Sequence, residues 1–179
     1  MMPHNLTEVV DGCIAYINNR EITIDELMKF VKAPDFPTGG IIYGIDGVKA
    51  AMHTGRGRVV LRGHTTIETS KSGKETIVIS SVPYQVSRDA LTEKIGFLVN
   101  NKVIEGITNV ANESNKEGTR IVVDVRRDTV AQVVLNQLYK YSELQTSYGI
   151  NNVALVKEKK KILNLKDLIS EFIEFRHEV

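Results

Sequence analysis

The chain has 179 residues, of which 42% are hydrophobic and 25% are charged, and its formal net charge is +1. This composition excludes a disordered chain and is sufficient for a buried core in one domain, with or without appendages. Cys13 is the only cysteine, which excludes an internal disulfide. It lies on an apolar stripe, so we expect no thiolate or metal role for it. With a single cysteine, we expect the reducing cytoplasm as the location. No apolar run approaches the roughly 18 residues of a membrane span, so we expect neither a membrane span nor a membrane partner.

Two short helices are predicted at the start of the chain. Asn5 can cap the first helix, and Thr23 with Glu26 forms a capping box before the second. Pro34 is expected to end the second helix. The proline- and glycine-containing segment 35–40 then predicts an extended turn and a subdomain boundary.

A short helix near 46–53 and a long hairpin are predicted next. The hairpin has strands at 58–69 and 75–82, joined by a basic tip at 71–74. The tip contains a Gly-Lys pair, but Glu75 stands where the phosphate-binding loop requires Ser or Thr. We therefore do not interpret the tip as a nucleotide site.

Residues 76–156 show a strand, helix, strand pattern twice. The first pass comprises a strand at 77–82, a helix from Ser87 and a strand around 106–110. The second pass comprises a strand at 120–125, a helix from Asp128 and a strand around 147–156. The side-chain period switches between 2 and 3.6, which predicts an α+β fold with a split β-α-β arrangement.

A lysine-rich turn at 157–161 and a helix capped by Asn164 complete the chain. The apolar residues of this helix recur at steps of three and four, namely Leu165, Leu168, Phe172, Phe175 and Val179. Such spacing is typical of a coiled-coil seam, here about two heptads long. We expect the helix to continue in a larger protein, and we interpret the lysines as solubilising a hairpin, with DNA contact as the alternative.

Positive charge is concentrated in the middle of the chain. Residues 49–74 contain six Lys or Arg side chains and one acid, a net charge of +5, whereas residues 1–35 have a net charge of −3. Clustered positive charge is the electrostatic signature of nucleic-acid binding.

The motif Thr54-Gly55-Arg56-Gly57 lies inside this basic block. Its glycines let the backbone approach a ligand closely, and the arginines that follow lie on alternate positions of a predicted strand. The predicted duplex-binding residues are Arg56, Arg58, Arg62, Gly55 and Gly57, with Lys49 and His53 as weaker candidates. In the alternative interpretation, Gly55 caps a helix, Gly57 opens a strand and the arginines are only solvated.

Six collinear segments carry a family resemblance. They are Pro-His-Asn-Leu-Thr-Glu-Val at 3–9, Pro-Asp-Phe-Pro-Thr at 34–38, Thr-Gly-Arg-Gly at 54–57, Pro-Tyr-Gln-Val at 83–86, Leu-Tyr-Lys with Glu-Leu-Gln within 138–145, and Tyr-Gly-Ile-Asn with Val-Ala-Leu within 148–155. Through them the chain resembles the middle of the A subunit of DNA gyrase, a bacterial type IIA topoisomerase. The A subunit of topoisomerase IV shares several of these segments and is the alternative within the family.

The resemblance implies three parts. Residues 1–33 would be a helical connector from the winged-helix domain, residues 34–156 the α+β tower domain, and residues 157–179 a hairpin turn and the start of a coiled-coil helix. In this family the tower extends a basic surface that binds and bends the gate DNA duplex, here during ATP-dependent negative supercoiling. Phosphate contacts along such a surface can offset the cost of bending.

The resemblance also implies that the chain holds no catalytic residue and no metal ligand. The DNA-cleaving tyrosine of the family follows an arginine, and none of the six tyrosines here does. ATP and Mg²⁺ would act through the gyrase B subunit of the parent enzyme, and no cofactor is expected in this chain. The implied partners are double-stranded DNA, the B subunit and a second copy of the A subunit in an A2B2 assembly, and the chain alone is expected to be inactive.

Two functions of other classes are compatible with the predicted topology. A small-molecule regulatory α+β module would have a ligand pocket between strands and only incidental basic residues. An RNA-recognition module is disfavoured because the predicted strands 77–82 and 120–125 contain no aromatic residue to stack on bases.

Overall fold

A computed structural model describes all residues from Met1 to Val179. The chain packs into two compact units. The first comprises Met1–Pro37, Gly44–Val60 and Ser147–Val179, and the second comprises Thr38–Tyr43 and Leu61–Thr146. The predicted domain boundaries, between residues 33 and 34 and between residues 156 and 157, refer to the domains of a longer protein. They remain a prediction.

Six helices and nine strands make up these units. The helices are α1 Leu6–Asn18, α2 Ile24–Leu27, α3 Asp46–Thr54, α4 Arg88–Asn100, α5 Ala131–Tyr141 and α6 Leu165–Glu178. The strands are β1 Ile41–Tyr43, β2 Arg56–Arg62, β3 Thr65–Thr69, β4 Glu75–Ile79, β5 Ile107–Asn112, β6 Ile121–Val125, β7 Gln145–Asn151, β8 Val153–Val156 and β9 Lys159–Ile162. The predicted α+β class is confirmed, and none of the helices is both long enough and apolar enough to cross a membrane.

Helix starts in the first unit follow the predicted caps. The Asn5 side chain accepts a hydrogen bond from the Glu8 N–H, and Thr23 and Glu26 form the predicted capping box. Helix α2 is shorter than predicted, because it ends at Leu27 instead of continuing toward Pro34. The N–H of Phe30 bonds back to the Leu27 carbonyl three residues earlier, which tightens the chain into a turn.

Helix α6 has two apolar faces. Leu165, Ile169 and Ile173 are buried, and α6 packs against α1, where the Tyr16 hydroxyl donates to Ser170 Oγ at 3.1 Å. The predicted seam is only partly accessible, because Leu165 is one of these buried residues, whereas Phe172, Phe175 and Val179 are exposed. The helix therefore packs through residues at i, i+4 and i+8, and the C-terminal part of the seam stays accessible.

The core of the second unit lies under a four-stranded sheet of order β3-β4-β6-β5. Strands β4 and β5 are each antiparallel to β6, so they run parallel to each other with β6 between them. Helix α4 connects β4 to β5, and Ser87 caps it as predicted. The first predicted pass is therefore a split β-α-β unit.

The second predicted pass is wrong in two respects. Helix α5 starts at Ala131, because residues 126–129 form a turn closed by the Thr129 N–H on the Arg126 carbonyl. The predicted strand at 147–156 is two strands, because the Asn152 N–H bonds to the Gly55 carbonyl and interrupts it. Strand β6 belongs to the four-stranded sheet and β7 to a different sheet, of order β1-β2-β7, so β6, α5 and β7 do not form a second unit of this kind.

The predicted long strand at 58–69 also breaks, at Gly63 and His64. Strand β2 belongs to the sheet of order β1-β2-β7, whereas β3 pairs with β4. The Gly63 N–H donates to the Leu144 carbonyl and the His64 N–H donates to Ser81 Oγ, so the ladder is interrupted there. The hairpin is therefore shorter than predicted, and its basic tip is retained.

The lysine-rich segment forms a tight hairpin between β8 and β9. Lys157 and Glu158 both have positive φ, at 48° and 65°, the conformation that two-residue hairpin loops require. Asn164 caps α6 as predicted, through a bond from the Asp167 N–H.

Candidate nucleic-acid interface

The predicted motif joins helix α3 to strand β2 in the first unit. Helix α3 ends at Gly55, whose φ of 80° is the left-handed conformation of a helix C-cap. The Thr54 hydroxyl lies 2.7 Å from the Ala50 carbonyl oxygen and accepts a hydrogen bond from the Arg56 N–H at 3.2 Å. The motif is therefore a fixed helix-to-strand turn.

The glycines around this turn are required by close packing. A Cβ at Gly57 would lie 2.4 Å from the Gly47 carbonyl oxygen, and a Cβ at Gly47 would lie 1.9 Å from the Arg58 carbonyl oxygen. A Cβ at Gly55 would lie 2.5 Å from the Leu163 carbonyl oxygen. Packing alone explains why these positions are glycine, and a direct role of Gly55 and Gly57 toward DNA stays a prediction.

Strand β2 has the predicted alternation. Val59 and Leu61 are buried, whereas Arg56 and Arg58 are exposed. Because alternate side chains of a strand point to opposite faces, burial of the apolar residues leaves the two arginines toward solvent.

Arg56 and Arg58 form no ion pair, and neither does Lys49 on α3. In contrast, Arg20, Arg120 and Arg126 each pair with a carboxylate, at distances of 2.9, 3.2 and 2.6 Å. The positive charges at the start of β2 are therefore free to meet an external anion.

His53 differs from the other candidates of the first unit. Its Nε2 lies 2.9 Å from Asp25 Oδ1, so an acid already occupies this ring nitrogen. A phosphate would have to compete with that carboxylate, which makes His53 a weaker candidate than Arg56 or Arg58.

Arg62 belongs to the second unit and has an aromatic environment. Its guanidinium carbon lies 3.7 Å from the ring centroid of Tyr43 and 4.4 Å from that of Tyr139. Its Nε donates to Gln145 Oε1 at 2.7 Å. The sequence analysis missed both tyrosines, because nothing local to Arg62 indicates which rings the fold brings to it.

Two titratable groups of the first unit, Cys13 and His4, have pKa values shifted by burial. Burial raises the pKa of the Cys13 thiol, which favours the unreactive protonated form. Burial also lowers the pKa of His4. No group of three or more His, Cys, Asp or Glu side chains is placed to hold a metal ion.

A cavity of about 330 Å³ in the second unit bears on the regulatory alternative. It is lined by residues of α4 and of segment 141–143, namely Ala90, Leu91, Lys94, Tyr141, Ser142 and Glu143. These residues do not form the pocket between strands that the alternative predicts.

Comparison with known proteins identifies the family. The sequence model of the A subunit of DNA gyrase/topoisomerase IV matches residues 1–179. The chain is 51% identical over 178 residues to the DNA gyrase A subunit of Salmonella typhimurium, and 50% identical over 177 residues to that of Haemophilus influenzae. Each alignment covers 99% of this chain and 20% of the relative, so the chain spans about a fifth of the length of these relatives. The chain therefore belongs to the family of DNA gyrase/topoisomerase IV A subunits.

Proposed function

We propose that this chain is part of the A subunit of a type II DNA topoisomerase and binds the phosphate backbone of a DNA duplex. The main support for the proposal is that Arg56 and Arg58 are exposed on β2 and have no acidic partner. Lys49 adds a third unpaired charge, and His53, Gly55 and Gly57 are secondary candidates. Arg62, in the second unit, is proposed as a separate phosphate contact.

Such a surface would bind duplex DNA without reading its sequence. Phosphate contacts fix the position of a protein on a duplex, whereas sequence is read from base edges. Bending a duplex costs on the order of several kcal/mol, and phosphate contacts spread along a surface can offset that cost. We infer that residues 34–156 act as the tower that supports a bent duplex.

The activity of the whole protein is also part of the proposal. The similar proteins are DNA gyrase subunits, so we infer ATP-dependent negative supercoiling, with topoisomerase IV activity as the alternative. ATP and Mg²⁺ would be bound by the gyrase B subunit in an A2B2 assembly. The chain alone should neither cleave nor relax DNA.

The test is fluorescence anisotropy of a labelled duplex of about 30 base pairs, titrated between about 50 and 200 mM salt. The double variant Arg56→Ala, Arg58→Ala removes two charges from the proposed surface. At about 0.9 per phosphate contact, the slope of log affinity against log salt should become shallower by about 1.8. Changing the duplex sequence should leave the affinity unchanged.

The control variant is Arg88→Ala, Arg127→Ala. Both arginines are exposed and unpaired, so this variant removes the same charge outside the site without freeing a carboxylate. Its slope should match that of the unmodified chain. Absence of duplex binding at the lowest salt concentration, or equal slopes for both double variants, would overturn the proposal.

A further inference from the structure

Arg62 contacts two aromatic rings and one side-chain amide. Its guanidinium carbon lies over the rings of Tyr43 and Tyr139, and its Nε donates to Gln145 Oε1. The Tyr139 hydroxyl lies 3.1 Å from Thr65 Oγ1, which fixes that ring in turn. Two ring contacts and one hydrogen bond therefore restrict the guanidinium of Arg62.

This arginine is half-buried and has no carboxylate partner. Arg20, Arg120 and Arg126 do have acidic partners, although their side chains are 46%, 49% and 57% exposed. Removing a cation from water without an anion is costly, and ring faces and one amide oxygen compensate only in part. Arg62 is thus a half-buried cation that has no anionic partner within the protein.

The remaining donors of Arg62 fit one kind of anion. An arginine has five N–H donors, and the Nε–H is the one that Gln145 accepts. The four N–H groups on the two terminal nitrogens form a planar fork that matches two oxygens of a phosphate. Lysine, which presents a point charge, does not have this geometry.

We propose that Tyr43 and Tyr139 are positioning residues that hold the guanidinium of Arg62 so that its terminal nitrogens bind one DNA backbone phosphate. This inference rests on the proposed function and adds the residues that orient one contact. The two rings restrict rotation of a long side chain before the phosphate arrives. Binding then costs less side-chain entropy than it would for a free arginine.

Tyr43 is the ring to change in a test. It is 58% exposed, so its replacement disturbs little packing, whereas Tyr139 is packed against the core. Tyr43→Leu removes the ring that contacts the guanidinium and keeps the charge of Arg62. Tyr43→Phe keeps the ring and removes only the hydroxyl. Tyr141→Leu is the matched control, because Tyr141 is 41% exposed and also has a cation, that of Lys140, over its ring.

Duplex affinity measured at several salt concentrations distinguishes the contribution of the charge of Arg62 from the contribution of its orientation. Arg62→Gln should make the slope shallower by about 0.9, the value of one phosphate contact. Tyr43→Leu should weaken binding about three- to tenfold with an unchanged slope, because the charge stays while its orientation is lost. Tyr43→Phe and Tyr141→Leu should bind as the unmodified chain does.

The inference is overturned if Arg62→Gln lowers the melting temperature but leaves the slope of log affinity against log salt unchanged. The contacts of Arg62 with the two rings would then have only a structural role. The inference is also overturned if Tyr43→Leu binds with unchanged affinity. Neither result affects the double variant Arg56→Ala, Arg58→Ala, which tests the proposed function separately.

Discussion

The two ends of strand β2 hold their arginines in opposite ways. At the first end, Arg56 and Arg58 are exposed to solvent, and the strand backbone is fixed by the close contact of Gly57 and Arg58 with Gly47 of α3. At the other end, the side chain of Arg62 itself is held, by contacts with the rings of Tyr43 and Tyr139. The difference shows that one strand can position an arginine either through contacts of its backbone or through contacts of the side chain itself.

The largest effect should come from breaking the backbone contact at the first end. A Cβ at Gly47 would lie 1.9 Å from the Arg58 carbonyl oxygen, so Gly47→Ala must displace the strand. We expect the free energy of unfolding to fall by about 3 kcal/mol, measured by urea denaturation.

Gly96→Ala is the control for this substitution. Gly96 lies inside α4, and an added Cβ would meet no atom within 4 Å. The change should stabilise the chain by about 0.5–1 kcal/mol, since alanine favours helix. Equal effects of the two substitutions would show that the contact with Arg58 carries no strain.

The next largest effect should come from removing the side chain of Arg62, which contacts Tyr43, Tyr139 and Gln145. Arg62→Ala removes two ring contacts and one hydrogen bond, so we expect a loss of about 2 kcal/mol in the free energy of unfolding. Chemical denaturation monitored by tyrosine fluorescence measures it. A loss below about 0.5 kcal/mol would mean that the rings do not stabilise the arginine and would remove the contrast with the first end.

A smaller effect is expected at the helix-to-strand turn. Thr54→Val keeps the side-chain shape and removes the hydroxyl that bonds the Ala50 carbonyl and the Arg56 N–H. The cost should be about 1 kcal/mol, the net value of a hydrogen bond. Thermal unfolding followed by circular dichroism measures it, and an unchanged melting temperature would mean that the glycines alone define the turn.

The smallest effect on stability should be that of Arg56→Ala combined with Arg58→Ala. Both side chains are exposed and unpaired, so the free energy of unfolding should change by less than about 0.5 kcal/mol. The same urea titration that is used for Gly47→Ala measures it. A larger loss would indicate a structural role and would place these arginines in the same class as Arg62.

The features that could be predicted from the sequence are those that depend on residues close together along the chain. The starts of the capped helices depend on a side chain and an N–H three residues apart, as with Asn5, Ser87 and Asn164. The exposure of Arg56 and Arg58 follows from the period of a strand and the apolar residues between them.

What could not be predicted depends on partners far along the chain. The strand breaks at Gly63 and Asn152 occur where N–H groups bond to the carbonyls of Leu144 and Gly55. The rings around Arg62 come from β1 and α5, and nothing in the local pattern of β2 indicates them. Tertiary contacts of this kind override local periodicity.

The start of α5 has a consequence for the order of folding. Its N-cap residue, Val130, offers no capping side chain, and the Ala131 N–H is bonded instead by the carboxylate of Glu75, 56 positions earlier, at 2.8 Å. A short helix is marginal until its ends are satisfied, and this end is completed only when β4 is in place. In hydrogen exchange during refolding, we therefore expect the amides of α5 to gain protection together with those of the sheet and not before them.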